Sequence, residues 1–366
     1  MSEERKMVLK MLEEGRISVD EAERLLHALN EKDEKTDEEQ GDFEEAQPPS
    51  EFVDWERWDE RKQTYKQQSS GFKISQYIEN IIQKIKDVDF DLNFGAHESV
   101  KHIFQDHTDD FHELNIKIKN GSVDLKIWKD KYVQIDCDVK VYRVQSREEA
   151  RQKFLNEVHY ELADGTLQFS CDARDVKIHA SVAIPEKMYE QVVCKLFNGN
   201  VSCEAIHANE LKIKTVNGSL SFPQIAADKA ELETGNGAIF VNGQADWLTV
   251  ETINGAIEAE GMFRDFDAES FSGSITARLH SEGKAALKST TSGITVIVPK
   301  DMQIHGELLS SIGSVQCELH SFEVLHEKKE PAQRLLKFVS NKKAKRVLHV
   351  EANTKTGSAA VVEQED

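Results

Sequence analysis

The chain has 366 residues, long for one compact domain, and its 66 acidic against 46 basic side chains give a net charge of −20. Such a charge repels polyphosphate backbones and excludes a general nucleic-acid binder, so no nucleic-acid partner is expected. The imbalance is concentrated at one end, because residues 1 to 60 hold 21 acidic and 8 basic side chains, a net of −13.

The chain opens MSEERKMVLK, without an apolar core followed by a small-residue cleavage site, and it carries no apolar run of the roughly 18 residues that would span a bilayer. The expectation is a soluble protein of the cytoplasm, with association with the membrane from that side as the alternative. Its cysteines, Cys137, Cys171, Cys194, Cys203 and Cys317, form no CxxC pair and have no histidine at zinc-finger spacing, so they read as small buried residues in a reducing compartment.

In chain order, the first predicted element is a helical hairpin over residues 1–31. Met7, Val8, Met11 and Leu12 recur at helical spacing up to Gly15, which stands where a C-cap glycine would end the helix. Ser18 with Glu21 forms a capping box for a second helix whose stripe is Ala22, Leu25, Leu26 and Leu29. So small a unit cannot bury its own apolar surface, and Leu12, Ile17, Leu25, Leu26 and Leu29 are the candidate stripe for binding a protein partner or a second copy of the chain. Docking onto the body of the chain is the alternative.

Residues 32–71 read as an acidic flexible linker, within which Phe52, Trp55 and Trp58 share a helical spacing. Residues 72–88 read as an amphipathic helix with Ile74, Tyr77, Ile78, Ile81, Ile82, Ile85 and Val88 on one face. Glu79 and Asp87 on its polar face favour a helix that closes a β-array over one that lies on a membrane.

From residue 89 to 363 a different pattern governs. An Asn-Gly or similar step falls at Gly121, Gly199, Gly218, Gly237, Gly255, Gly273, Gly293, Gly313 and Gly357, with intervals of 19, 19, 18, 18, 20 and 20 residues from Gly199 to Gly313. Asn-Gly tolerates positive φ, so each step is expected to be a tight corner between two strands. Period-two counting places Leu211, Ile213, Thr215, Ala230, Leu232, Thr234, Leu248, Val250 and Thr252 inside before the corners. Leu220, Phe222, Ile239, Val241, Ile257 and Ala259 follow inside after them.

The position three before the corner repeats a small hydroxyl, at Thr215, Thr234, Thr252, Ser270, Ser310 and Thr354, and the position just before it repeats Asn120, Asn198, Asn217, Asn236 and Asn254. The TTSG unit joins these columns only if Ser292, not Gly293, holds the corner; Ser289 then enters the hydroxyl column and Ile294, Val296 and Val298 point inward. Columns of like residues fit a parallel β-solenoid of about 18–20 residues per rung, each coil stacked on the one before, better than an antiparallel meander.

Two interruptions are expected. SREEARQKFLNEV, residues 146–158, predicts a helix capped by Ser146 with Glu149 three on, and residues 319–347 break the pattern again. A longer repeat places Pro185 and Pro299 fourteen positions before Gly199 and Gly313.

The solenoid, with its IPEK and VPKD steps and its NGSLSF, NGAIFV and NGAIEAE corners, resembles the bacterial putative-adhesin family over roughly residues 88–363. KMLEEGRISVDEAERLLHAL resembles the short helical N-terminal domain of YvlB/LiaX-type proteins of Gram-positive bacteria. The resemblance implies an association with cell-envelope stress, partners among envelope-stress regulators or membrane proteins, and no established catalytic residues.

Polysaccharide-cleaving enzymes also use parallel β-helices and need converging carboxylates. The outward positions hold Lys212, Lys214, Glu231, Glu233, Glu251, Glu258 and Glu269, and Glu231, Glu251 and Asp267 are expected to stack; a solvated face explains them. His97, His102, His107 and His112, five apart, cannot gather on one regular element, so no metal and no cofactor is expected. KKAKR, residues 342–346, could touch anionic headgroups but reads as an exposed loop, with weak or no direct membrane contact. The functional expectation is a non-catalytic interaction scaffold; the alternatives are a surface adhesin that binds carbohydrate or peptide along the solenoid and, third, a glycan-active enzyme using Glu231 or Glu251.

Overall fold

The computed structural model describes residues 95–364 except 109 and 331. The predicted hairpin, linker and amphipathic helix of residues 1–88 lie outside the described residues. Within the described part the chain is a parallel β-solenoid, and all fifteen positions assigned inward around the Gly218, Gly237 and Gly255 corners are buried. The strands Leu220–Asn236, Ile239–Asn254 and Ile257–Ser272 each run from one corner to the next and pair in parallel with their neighbours.

The corners stack without the positive-φ pairs that the sequence predicted. Asn120, Asn198, Asn217, Asn236 and Asn254 do not have positive φ, and among the corner glycines only Gly121, Gly199 and Gly218 do. The glycine is required for closeness instead. A Cβ on Gly237 would lie 2.1 Å from the carbonyl oxygen of Gly218, and one on Gly255 would lie 2.0 Å from that of Gly237.

Around this approach the backbone bonds continue through the bend, with Gly218 N donating to Asn236 O and Gly237 N to Asn254 O, both at 2.9 Å. The hydroxyl column bonds to the preceding coil's backbone. Thr215 donates to Gly199 O at 3.0 Å, Thr234 to Gly218 O at 2.7 Å and Thr252 to Gly237 O at 3.1 Å. The asparagines form a ladder of amide to amide bonds, Asn198 to Asn120, Asn217 to Asn198, Asn236 to Asn217 and Asn254 to Asn236, at 2.8 to 2.9 Å. The out-of-step rung behaves as expected: an added Cβ on Gly357 would meet Ser292 O, and Ser289 donates to Gly273 O at 3.4 Å.

Each coil also has a second bend that the corner count missed. Gly243 and Gly261, with φ of 137° and 149°, stack there, and an added Cβ on Gly261 would meet Gly243 O. Asn242-Gly243 is itself an Asn-Gly step.

The expectation that each coil stacks on the one before it fails at both ends. Strand Glu113–Trp128 pairs on one side with Thr166–Cys171 and Val176–Pro185, and on the other with Tyr189–Asn198 and Val201–Cys203. It therefore sits between two coils that follow it in sequence. Likewise Val347–Thr354 and Ala359–Glu363 lie between the coil of Gly283–Ser289 and Ile294–Val298 and that of Gln303–Ser310 and Val315–Glu318. The two chain steps that skip a place run through Pro185 and Pro299, which accounts for the longer repeat.

Antiparallel strands cover both ends. Val133–Tyr142 pairs with Val176–Pro185 and with His97–Asp106, and Val158–Ala163 pairs with Thr166–Cys171. Between them the predicted helix forms as Arg147–Glu157, with Ser146 accepting from Glu149 N and with Ala150 and Phe154 buried. At the other end the interruption is a hairpin of Phe322–Glu330 and Gln333–Ser340, laid antiparallel on Gln303–Ser310.

Gly→Ala at an unstrained site stabilises by about 0.4–1 kcal/mol through the unfolded chain. Gly237→Ala is expected to do the opposite and cost about 2 kcal/mol or more, because the Cβ has backbone rather than a flexible side chain in its way. Chemical denaturation against Ala238→Gly, one residue on and exposed, checks the sign.

Candidate functional site

The outward face of the long strands carries a charged ladder. Parallel register places Lys212 beside Glu231 and Lys214 beside Glu233. Lys212 Nζ lies 2.8 Å from Glu231, Lys229 Nζ 2.7 Å from it, and Lys214 Nζ 2.6 Å from Glu233. Glu233 is only 6% exposed although it points outward, so its partner is a condition of its burial. Burial alone would push the Glu231 carboxyl up, but hydrogen bonds and charge from Lys212 and Lys229 outweigh it and hold it at about 2.

The expected stack of Glu231, Glu251 and Asp267 is not what the register gives. Glu231, Thr249 and Asp267 share one column, while Glu233, Glu251 and Glu269 share the other. Burial raises Glu269, against the pull of Lys288 and with the repulsion of Asp267. Of these acids, Glu231 and Glu233 are held in ion pairs, and Glu251 and Glu269 continue the Glu233 column.

A second cluster sits on the first coils. Ser122 and His179 are register partners across adjacent strands, and Asp124 follows two residues on along the same face. Ser122 Oγ lies 2.5 Å from His179 Nδ1, and His179 Nε2 lies 3.3 Å from Asp124, which also accepts from Ser202. The connectivity is that of a nucleophile, a base and an orienting acid. The next backbone amide, Val123 N, is already donated to Asn200 O, so it is not free to stabilise an oxyanion, and the trio reads as a polar brace. Beside it, Lys101, Lys140 and Lys177 line a shallow groove of about 320 Å³ with Ser99, Ser122 and His179.

The four histidines do not converge. His97 packs on Tyr142, His102 on Phe104 and Phe154, and His107 on Tyr132. His112 alone meets acids, with Glu190 at 3.7 Å and with Glu113 close by, the ligand atoms lying within 4.8 Å of one another. Glu113 also accepts from Thr166. All three are at least partly exposed, and an ion pair accounts for them.

Cys137, Cys171, Cys194 and Cys203 are buried, and all five cysteines are free thiols. Burial pushes Cys137 and Cys203 up to about 12, which makes them inert as nucleophiles. In the basic loop, Lys342 pairs with Glu323 and Arg346 is bidentate on Asp301, leaving Lys343 and Lys345 to solvent. The predicted stripe Leu12, Ile17, Leu25, Leu26 and Leu29 lies outside the described residues. Among the described residues no helix is long and apolar enough to cross a membrane.

The geometry defines a class, the capped parallel β-solenoid built on stacked glycine corners. Residues 111–357 match the family model described as Toastrack DUF4097, and the chain belongs to that family. Residues 3–34 match a SHOCT-like domain. The chain is 34% identical to the uncharacterized protein YvlB of Bacillus subtilis (strain 168), with 98% of each chain covered. Among solved structures, a putative adhesin from Bacteroides fragilis NCTC 9343 aligns with a TM-score of 0.42 at 13% identity, over 73% of this chain and 97% of that one. A putative lipid binding protein from Parabacteroides distasonis ATCC 8503 aligns at 0.33 and 11%, over 72% and 97%.

The depressed Glu231 carboxyl yields a pH prediction. A carboxyl whose pKa is lower in the folded chain contributes stability that is fully present above its unfolded value of 4.5 and is lost as pH falls toward about 2. Wild type should therefore lose on the order of 2–3 kcal/mol more than Glu231→Gln between those two pH values. Denaturation midpoints of the two proteins at matched pH measure the difference.

Proposed function

We propose that this Toastrack protein is a non-catalytic interaction scaffold that works in the bacterial cell-envelope stress response from the cytoplasmic side. The observation that carries the reading is the run of corner bonds from Asn120 to Asn254, which makes a stiff body whose outer face carries the Lys212–Glu231 and Lys214–Glu233 ion pairs. A face whose charges already satisfy one another suits presentation and spacing better than bond cleavage. The match of residues 3–34 to a SHOCT-like domain, and a relative that covers the chain nearly end to end, support a head and solenoid that act as one unit. In this reading Leu12, Ile17, Leu25, Leu26 and Leu29 form the stripe that takes a protein partner, an envelope-stress regulator or membrane protein, or a second copy of the chain.

A surface adhesin is the second reading. Phe240 and Trp247, at 38% and 45% exposure, stand on strand Ile239–Asn254 on either side of its bend at Gly243, and Met262, at 52%, stands on the next coil; exposed aromatic side chains offer stacking surfaces to sugars or peptides.

Replacing Leu25 and Leu26 together by Asp in the full chain should abolish both self-association and capture of the partner, while the solenoid's unfolding midpoint stays unchanged. Retention of both kinds of binding would remove the proposed role of the stripe. Protease added to intact cells separates the two readings: the scaffold predicts protection alongside a cytosolic control, and the adhesin predicts digestion.

A further inference from the structure

The groove on the first coils holds an electrostatic arrangement that the fold does not require. Lys140 and Lys177 are direct cross-strand partners in the antiparallel pair Val133–Tyr142 with Val176–Pro185. Opposed positions on one sheet face bring Cβ atoms to about 4.5–5.5 Å, and like charges so placed are destabilising. Both lysines are exposed, and neither has a carboxylate partner among the described residues. Elsewhere on the outer face, Lys212 and Lys214 stand opposite Glu231 and Glu233. A repelling pair of cations in a chain of net charge −20 is therefore an arrangement kept at a cost.

Around the pair the register assembles donors. Ser99 is opposite Lys140 on the outer strand His97–Asp106, and one row on, Lys101, Asp138, His179 and Ser122 follow one another across four strands. Lys101 is held 3.1 Å from Asp138, and His179 is braced on both ring nitrogens by Ser122 and Asp124. Gly121 lies in the groove wall and brings no side chain to obstruct it. The groove therefore joins two uncompensated ammonium groups and the Ser99 hydroxyl, with Asp138 engaged by Lys101, and with Ser122, His179 and Asp124 engaged by one another.

We propose that this groove is a binding site for a phosphate group. A compact oxyanion placed between Lys140 and Lys177 converts their repulsion into two charge-assisted hydrogen bonds, and Ser99, the cross-strand partner of Lys140, is placed to serve a remaining oxygen. A carboxylate offers only two oxygens to these three donors, which stand on three adjacent strands. The same chemistry is carried by a free phosphate ester and by the headgroup of an anionic phospholipid. The inference goes beyond the scaffold reading and does not depend on the N-terminal stripe.

The test uses the full chain in phosphate-free buffer, with ionic strength balanced by chloride. The proteins compared are wild type, a Lys140→Ser with Lys177→Ser double variant, and a Lys343→Ser with Lys345→Ser double variant that removes the same charge elsewhere. Inorganic phosphate followed by phosphorus NMR line width reports affinity, and thermal unfolding reports stability. Wild type and the loop variant are expected to bind alike and to gain stability with phosphate. The groove variant should bind at least about tenfold more weakly while matching or exceeding the wild-type midpoint without phosphate, since a repulsion has been removed.

Cosedimentation with phosphatidylcholine vesicles, with and without phosphatidylglycerol, assigns the source. Groove-dependent binding to the anionic vesicles places the phosphate on a lipid, and groove-dependent binding to inorganic phosphate alone places it on a soluble ester. Absence of binding by wild type to either probe overturns the proposal, as does an equal loss in the two double variants.

Discussion

The close approach of one corner glycine to the carbonyl of the next is the constraint on which the rest of the solenoid depends. Gly121, Gly199, Gly218, Gly237, Gly255 and Gly273 each leave room that a Cβ would fill with a backbone clash. The spacing lets the chain continue its interstrand bonds around a bend, where most β-structures lose them. Those bonds also bring the hydroxyl and asparagine columns into reach of the adjacent coil. Each such bond contributes about 1 kcal/mol at most, but repetition makes the column cooperative, because every coil is the template for the one laid on it.

A stack of parallel strands leaves two open edges, and unpaired edges invite association with other chains. This chain treats both ends alike. A coil from each extremity of the solenoid sequence is placed second from the end, and antiparallel strands then cover the outermost coil. The arrangement ties the ends of the repeat into its interior, so fraying of a terminal coil must also break contacts made by a sequence-distant one. The groove of Lys140 and Lys177 exists only because of this capping, since its walls come from cap strands and from an intercalated coil.

Much of this was legible in the residues and some was not. Face and period are local properties, so Leu211, Ile213 and Thr215 could be placed inside, Ser292 could be recognised as the corner of the odd rung, and Ser146 could be read as a cap. Stacking order is not local. Pro185 and Pro299 signalled that two rungs differed, but nothing near them says that a coil from elsewhere in the chain fills the skipped place. The pairing of Glu231 with Thr249 rather than Glu251 was in fact legible, because Glu231 stands six before Gly237 and Thr249 six before Gly255, whereas Glu251 stands four before it and falls opposite Glu233. Lys140 and Lys177 meet through an antiparallel cap whose register no repeat encodes. The role of the corner asparagines as a ladder was visible in their column; that the neighbouring glycine serves spacing more than positive φ emerged only from the stacked backbone.

The proposed scaffold role requires a stiff solenoid, and the stacked corners are the source of that stiffness. Native-state amide hydrogen exchange tests it most directly. Gly218, Gly237 and Gly255 donate their amides to Asn236, Asn254 and Ser272 across the corners. The account predicts that these three exchange as slowly as the strand amides of Leu232 and Val250. Exchange at the rate of the exposed edge strand Phe322–Glu330 would show that the corners open independently and would contradict the stacked-corner origin of the fold.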